Sequence, residues 1–156
     1  MNTIDFLEFN LKETRRRSEI VWNAIPEDKL NWKPDEDAMT CIEMVRHVLE
    51  AEHYYCLAIK NRASIENFDS PFDKRPFISI KDELDFAEPY HREFISSLQF
   101  FSSGDLENVK IDRSDEGYIR SLGDMLMRIA YHEAVHTGQL LDYLRTMDVP
   151  RPKIWD

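Results

Sequence analysis

Apolar residues recur at steps of three and four along most of this chain, the period of an α-helix with one buried face. The first such segment runs from Thr3 to about Ala24, with Ile4, Leu7, Leu11, Ser18 and Val21 continuing to Ile25, and Phe6 and Phe9 beside them. Lys12, Arg15, Arg16 and Glu19 are assigned to its polar face. Pro26, Asn31, Pro34, Asp35 and Asp37 mark a loop, within which Trp32 is expected to anchor the chain to the core. A second segment opens at Thr40 as N-cap, with Glu43 three residues later as in a capping box. It carries Ile42, Val45, Leu49, Cys56 and Ile59 and stops near Asn61. Residues 64–76 read as an irregular connection.

The third segment starts around Ser79, with Asp82 and Glu83 in the first turn where the helix dipole favours acids. Its apolar face holds Leu84, Tyr90, Phe94, Ile95 and Leu98; Pro89 weakens or kinks it, and Gly104 is expected to end it. Val109, Ile111 and Tyr118 alternate enough for a short hairpin or an extended loop between residues 105 and 120. The fourth segment, Ser121 to about Met147, is the most regular, with Ser121 and Asp124 as a second capping pair and Pro150 and Pro152 beyond its end. Four long amphipathic segments in 156 residues predict an all-α single domain spanning 1–156, a four-helix bundle.

Composition narrows the function. The chain holds 30 acidic against 20 basic residues, a formal net charge of −10, which argues against broad contact with nucleic-acid phosphates. It shows no apolar run long enough for a membrane span, and its first residues lack a signal-peptide pattern. Two cysteines, Cys41 and Cys56, do not form a CxxC pair or a disulfide framework, so a reduced, cytoplasmic protein is expected. The excess acid is assigned to solvated helix faces.

The chemistry concentrates on the fourth segment. Leu122, Met125, Leu126, Ile129, His132, Glu133, His136, Leu140, Tyr143, Leu144 and Met147 all fall within about 60° of one direction at about 100° per residue. Ionisable groups inside an apolar stripe need partners. His132 and His136 lie one turn apart on one face, the spacing at which two imidazoles can share a metal ion; the alternative is a pair of core histidines hydrogen-bonded to protein groups. A third ligand has to come from another helix, and His47 is the best placed, bordering the Val45/Leu49 stripe. His53 and His91 are expected at the surface or rim. Three neutral imidazoles suit Zn²⁺ or Ni²⁺ foremost, with Fe²⁺ or Mn²⁺ next. His132 to His136 also fits HExxH, but the continuation of the zinc proteases is missing; Glu133 is a candidate catalytic base or an acceptor behind the ligands. Arg46, Arg120, Arg128 and Arg145 could pair with an anion, although surface charge is the default for each. Gly138 permits a close approach, with tight helix packing as the first expectation.

Residues 40–52 (TCIEMVRHVLEAE) resemble the second helix of the DinB-like superfamily, and His132 to Leu140 (HEAVHTGQL) resembles its HxxxHxGQ motif. Trp32-Lys33-Pro34 is similar to the family's loop before helix two, and the tail from Leu144 through Pro152 to its ending. Thr137 departs from the pattern, standing where many members have Arg at the rim of the site. The resemblance implies an up-down-down-up bundle, often a homodimer, with a metal held by His47, His132 and His136. It further implies a metal-dependent transferase, or a related hydrolase or isomerase, acting on a small molecule with a low-molecular-weight thiol such as bacillithiol, mycothiol or glutathione. The alternative is a non-catalytic metal-binding or stress-response protein in which the metal is structural. Neither DNA nor a membrane is an expected partner.

Overall fold

The computed structural model describes residues 2–155. Its four long helices are α1 (Thr3–Trp22), α2 (Cys41–Asn61), α3 (Ile80–Ser97) and α5 (Leu122–Thr146). Between α3 and α5 lie a one-turn helix α4 (Asp105–Asn108) and an antiparallel hairpin of β1 (Lys110–Arg113) and β2 (Tyr118–Ser121). No helix among the described residues is long and apolar enough to cross a membrane.

Local chemistry sets the helix starts. Thr40 Oγ1 accepts from the Glu43 backbone N–H at 3.3 Å while the Glu43 carboxylate accepts from the Thr40 N–H at 2.7 Å, completing the expected box. Asn2 and Asp5 form the same reciprocal arrangement at α1. Ser79 and Ser121 each accept from the backbone three residues on, but the Asp124 carboxylate turns to Arg120 at 2.7 Å. Pro89 lies exposed on α3, which runs through it without interruption. Gly104 does not end α3. That helix stops at Ser97, and Gly104 leads into α4 instead. The hairpin turns at Gly117, whose φ of +84° is open to glycine.

Two clusters of buried side chains set the helix directions. One joins Leu7 and Leu11 of α1 to Ile59 of α2, Phe94 of α3 and Met125 of α5. The other joins Trp22 of α1 to Val45 of α2, Ile80 of α3 and Leu144 of α5. The start of α1 therefore lies beside the start of α5 and the ends of α2 and α3. This is the up-down-down-up bundle. Trp32 reaches the second cluster, its ring 5.2 Å from that of Tyr143, and so anchors the loop as expected.

Because α2 and α3 run parallel, residues 62–79 must return along the bundle. They are pinned by Phe72, fully buried, and by Arg46. Arg46 is not a solvated charge: it is buried, paired with the fully buried Glu83 at 2.6 Å, and donates to the carbonyls of Arg75 and Pro76. A guanidinium satisfies several acceptors at once, so one side chain closes a connection that has little secondary structure of its own.

Candidate metal centre

His47 on α2 and His132 and His136 on α5 meet at the antiparallel contact of the two helices. Nε2 of His132 lies 3.1 Å from Nε2 of His47 and 3.1 Å from Nε2 of His136. One donor nitrogen from each ring falls within 4.8 Å of the others. Imidazoles bound tetrahedrally to a zinc ion at about 2.0–2.1 Å place their nitrogens about 3.3 Å apart, so the spacing fits a shared cation. It does not fit a closed set of hydrogen bonds, because each Nε2 carries at most one proton. The expected stripe of α5 is also refined: Glu133 occupies its buried centre, whereas His132 and His136 stand half-buried at its edge, as His47 does on α2.

The electrostatics favour the neutral form of the His132 and His47 rings. Burial lowers the His132 pKa first, and His136, His47 and Arg128 add to it, bringing it down to about 4. Burial, then His136, also lowers His47. His136 Nδ1 lies 2.6 Å from Gln139 Oε1, which fixes the Nδ1–H tautomer and leaves Nε2 as a lone pair facing the other rings. Tyr55 stands beside the group, its ring 6.4 Å from that of His132.

Glu133 does not face these rings. Arg15 Nε donates to it at 3.1 Å and Arg15 Nη2 at 3.0 Å, with both side chains buried between α1 and α5. Arg15 is thus no surface residue, contrary to its assignment to the polar face of α1. The same guanidinium reaches Glu52 of α2 at 3.2 Å, and Glu52 accepts from His91 Nδ1 of α3 at 2.9 Å. Each long helix contributes one member to this charged layer between the two apolar clusters. Arg15 is held above its ordinary pKa by Glu133 and Glu52 against the opposing effect of burial. Burial pushes Glu52 up, but Arg15 and His91 together outweigh it and leave the carboxyl below its usual value.

The remaining candidates separate from the centre. His53 stacks on Tyr90, centroids 4.4 Å apart, and His91 is tied to Glu52. Thr137 is not at the rim: it is buried and donates to Ser18 Oγ at 2.8 Å across the α1–α5 contact. Gly138 is exposed, and a Cβ there would meet nothing within 4 Å, so tight helix packing is not its reason. Burial pushes the Cys41 thiol up to about 11 and raises Cys56 as well, which leaves both protonated and inert.

Arg15 and Glu52 were absent from the expected site, yet each leaves a trace in the sequence. Arg15 fills the helical step between Leu11 and Ser18, and Glu52 fills that between Leu49 and Cys56. A charge occupying a gap in an apolar stripe is the signal of a buried pair.

The sequence model of a family described as the DinB superfamily matches residues 10–140. The chain is 28% identical over 124 residues to an uncharacterized protein, YjoA, of Bacillus subtilis strain 168, covering 79% of this chain and 77% of that one. The crystal structure of YjoA, described as a DinB-like protein, superposes with a TM-score of 0.69 at 22% identity over 98% of this chain and 97% of that one. A DinB-like protein from Bacillus cereus ATCC 10987 gives a TM-score of 0.70 at 18% identity, covering 92% of this chain and 91% of that one.

Proposed function

The chain belongs to the DinB superfamily, and on that footing we propose that it binds a divalent metal ion through His47, His132 and His136 and acts as a metal-dependent transferase on a low-molecular-weight thiol. The observation that carries this reading is the convergence of three imidazole nitrogens, with His132 Nε2 at 3.1 Å from each of the others. An all-nitrogen donor set of this kind suits Zn²⁺ or Ni²⁺. The chemistry such an ion supplies is Lewis acidity, which lowers the pKa of a coordinated thiol and holds it as the reactive thiolate.

The protein's own groups support the rest of the reading. The three rings are half-buried, so a small ligand can reach them from one side while α2 and α5 hold them from the other. Gln139 holds the tautomer of His136. Both cysteines are buried and protonated, so the reactive sulfur is expected from a small molecule. Glu133, engaged by Arg15, is expected to position α5 and not to act as a base. A homodimer belongs to the same reading, with Phe6 and Phe9 on α1 and Met127 and Tyr131 on α5 among the exposed apolar residues available to it.

The test is conjugation of a panel of thiols, bacillithiol and glutathione among them, to a generic electrophile. Turnover is expected to require stoichiometric metal and to vanish in the chelated protein and in His136→Ala. Metal that stabilises the fold with no turnover by any thiol would favour a structural ion instead.

A further inference from the structure

Arg128 lies one helical turn before His132 on α5, in a cluster that the three histidines do not account for. Its Cζ stands 5.8 Å from the Tyr55 ring and 5.1 Å from the Tyr118 ring. Arg113 and Arg120 approach the same Tyr118 ring at 5.3 and 5.1 Å. Three cations gathered at one ring call for anions nearby. Arg120 has Asp124 at 2.7 Å, and Arg113 has Glu116 at 3.8 Å, a side chain 59% exposed. Among the described residues, Arg128 has no carboxylate in ion-pair range. In a chain of 30 acidic and 20 basic residues, a half-buried arginine without an acid runs against composition.

The placement gives this cation a use. His47, Ala51 and Tyr55 follow one another at steps of four on α2, and Arg128, His132 and His136 do so on the antiparallel α5. Tyr55 joins the two ends of this surface, being near both the His132 ring and the Arg128 guanidinium. Its hydroxyl oxygen accepts from Arg128 Nε at 3.4 Å, which steadies the fork. The two Nη groups have no acceptor among the described residues, and they are not sealed from solvent. Ala51 keeps the space between His47 and Tyr55 free of a long side chain.

We propose that Arg128 is the subsite for the carboxylate of a small thiol whose sulfur sits at the three-histidine centre; the assignment rests on that centre binding a thiol. A guanidinium fork matches a carboxylate bidentately and distinguishes it from an uncharged isostere of the same shape.

The test measures binding of 3-mercaptopropionate and 4-mercaptobutyrate, each against its amide, to zinc-loaded wild type, Arg128→Lys and Arg128→Gln. Metal content and helical circular dichroism are recorded for each. The wild type should bind the better acid about tenfold more tightly than its amide. Arg128→Gln should lose that preference while keeping its zinc and its affinity for the amide, and Arg128→Lys should keep part of it. Equal affinity for acid and amide in the wild type overturns the subsite and leaves the thiol reading standing, as does a preference that survives in Arg128→Gln. If Arg128→Gln does not fold, the wild-type ratio and Arg128→Lys decide alone. Zinc-loaded wild type that binds none of the four thiols overturns the reading of the centre, and the subsite with it.

Discussion

Arg15 of α1 grips Glu133 of α5 through two nitrogens, Nε at 3.1 Å and Nη2 at 3.0 Å, with both side chains buried. The pair sits one residue along from a metal-ligand candidate, so the force that holds α5 against α1 also sets where His132 points. Removing one member of a buried pair leaves an uncompensated charge, and here Arg15 serves two carboxylates. Arg15→Met is therefore expected to cost about 3–5 kcal/mol in urea denaturation. A loss within about 1 kcal/mol, the range of an exposed pair, would show that the charged layer is open to water.

The same layer gives the fold an acid limit. Arg15 and His91 hold the Glu52 carboxyl below its ordinary value of 4.5, outweighing its burial. A carboxyl depressed in the folded state adds stability that is fully present above the unfolded value and is lost as pH falls through the folded one. Denaturation midpoints should accordingly fall steeply below about pH 4.5 in the wild type. Glu52→Gln should start lower and show a shallower decline over that window. Parallel curves would remove Glu52 from the account.

Metal affinity should depend on histidines that are far apart in sequence. His47→Ala is expected to lower the zinc content of the purified protein well below one per chain. His53→Ala, whose ring packs on Tyr90, should keep it. Elemental analysis of the two variants separates them, and full zinc in His47→Ala would overturn the three-histidine ligand set, since α2 would then supply no ligand at that position. Gln139→Leu removes the acceptor of His136 Nδ1 and should weaken zinc binding about 10–100-fold without unfolding the helix. Gln139→Glu should retain it.

The elements of this fold were legible because local signals agreed with the global packing. The Thr40/Glu43 box, the prolines after α5 and the four apolar stripes all point to the same bundle. The three-histidine group was legible for the same reason: four residues is one turn, and His47 borders a buried stripe. Arg15, Arg46 and Glu52 were misread or missed because a residue's class was given more weight than its place in the stripe. The rule that charges face water fails where the partner comes from another helix, and the partner of Arg15 is 118 residues away. His91 was assigned to the surface or rim for the same reason, since its carboxylate comes from α2. Arg128 was legible only as one of four arginines that could pair with an anion; what separates it from the others is the absence of a nearby acid among the described residues, which spacing along the chain does not show.

Gly138 offers a clean test of packing against function. It lies well inside α5, where glycine costs about 0.5–1 kcal/mol relative to alanine through backbone entropy. Such a cost is offset when a neighbour needs the space, but a Cβ built at Gly138 meets nothing within 4 Å, and the residue is exposed. It faces a hollow of about 290 Å³ between α1 and α5, lined also by Arg17, Ser18, Leu141 and Trp155. Within one chain, Gly138→Ala should thus raise stability by about 0.5–1 kcal/mol in urea denaturation, with zinc content unchanged. A destabilised variant that keeps its zinc would place a second backbone or a ligand against Gly138, since nothing in the chain's own packing opposes the added methyl group.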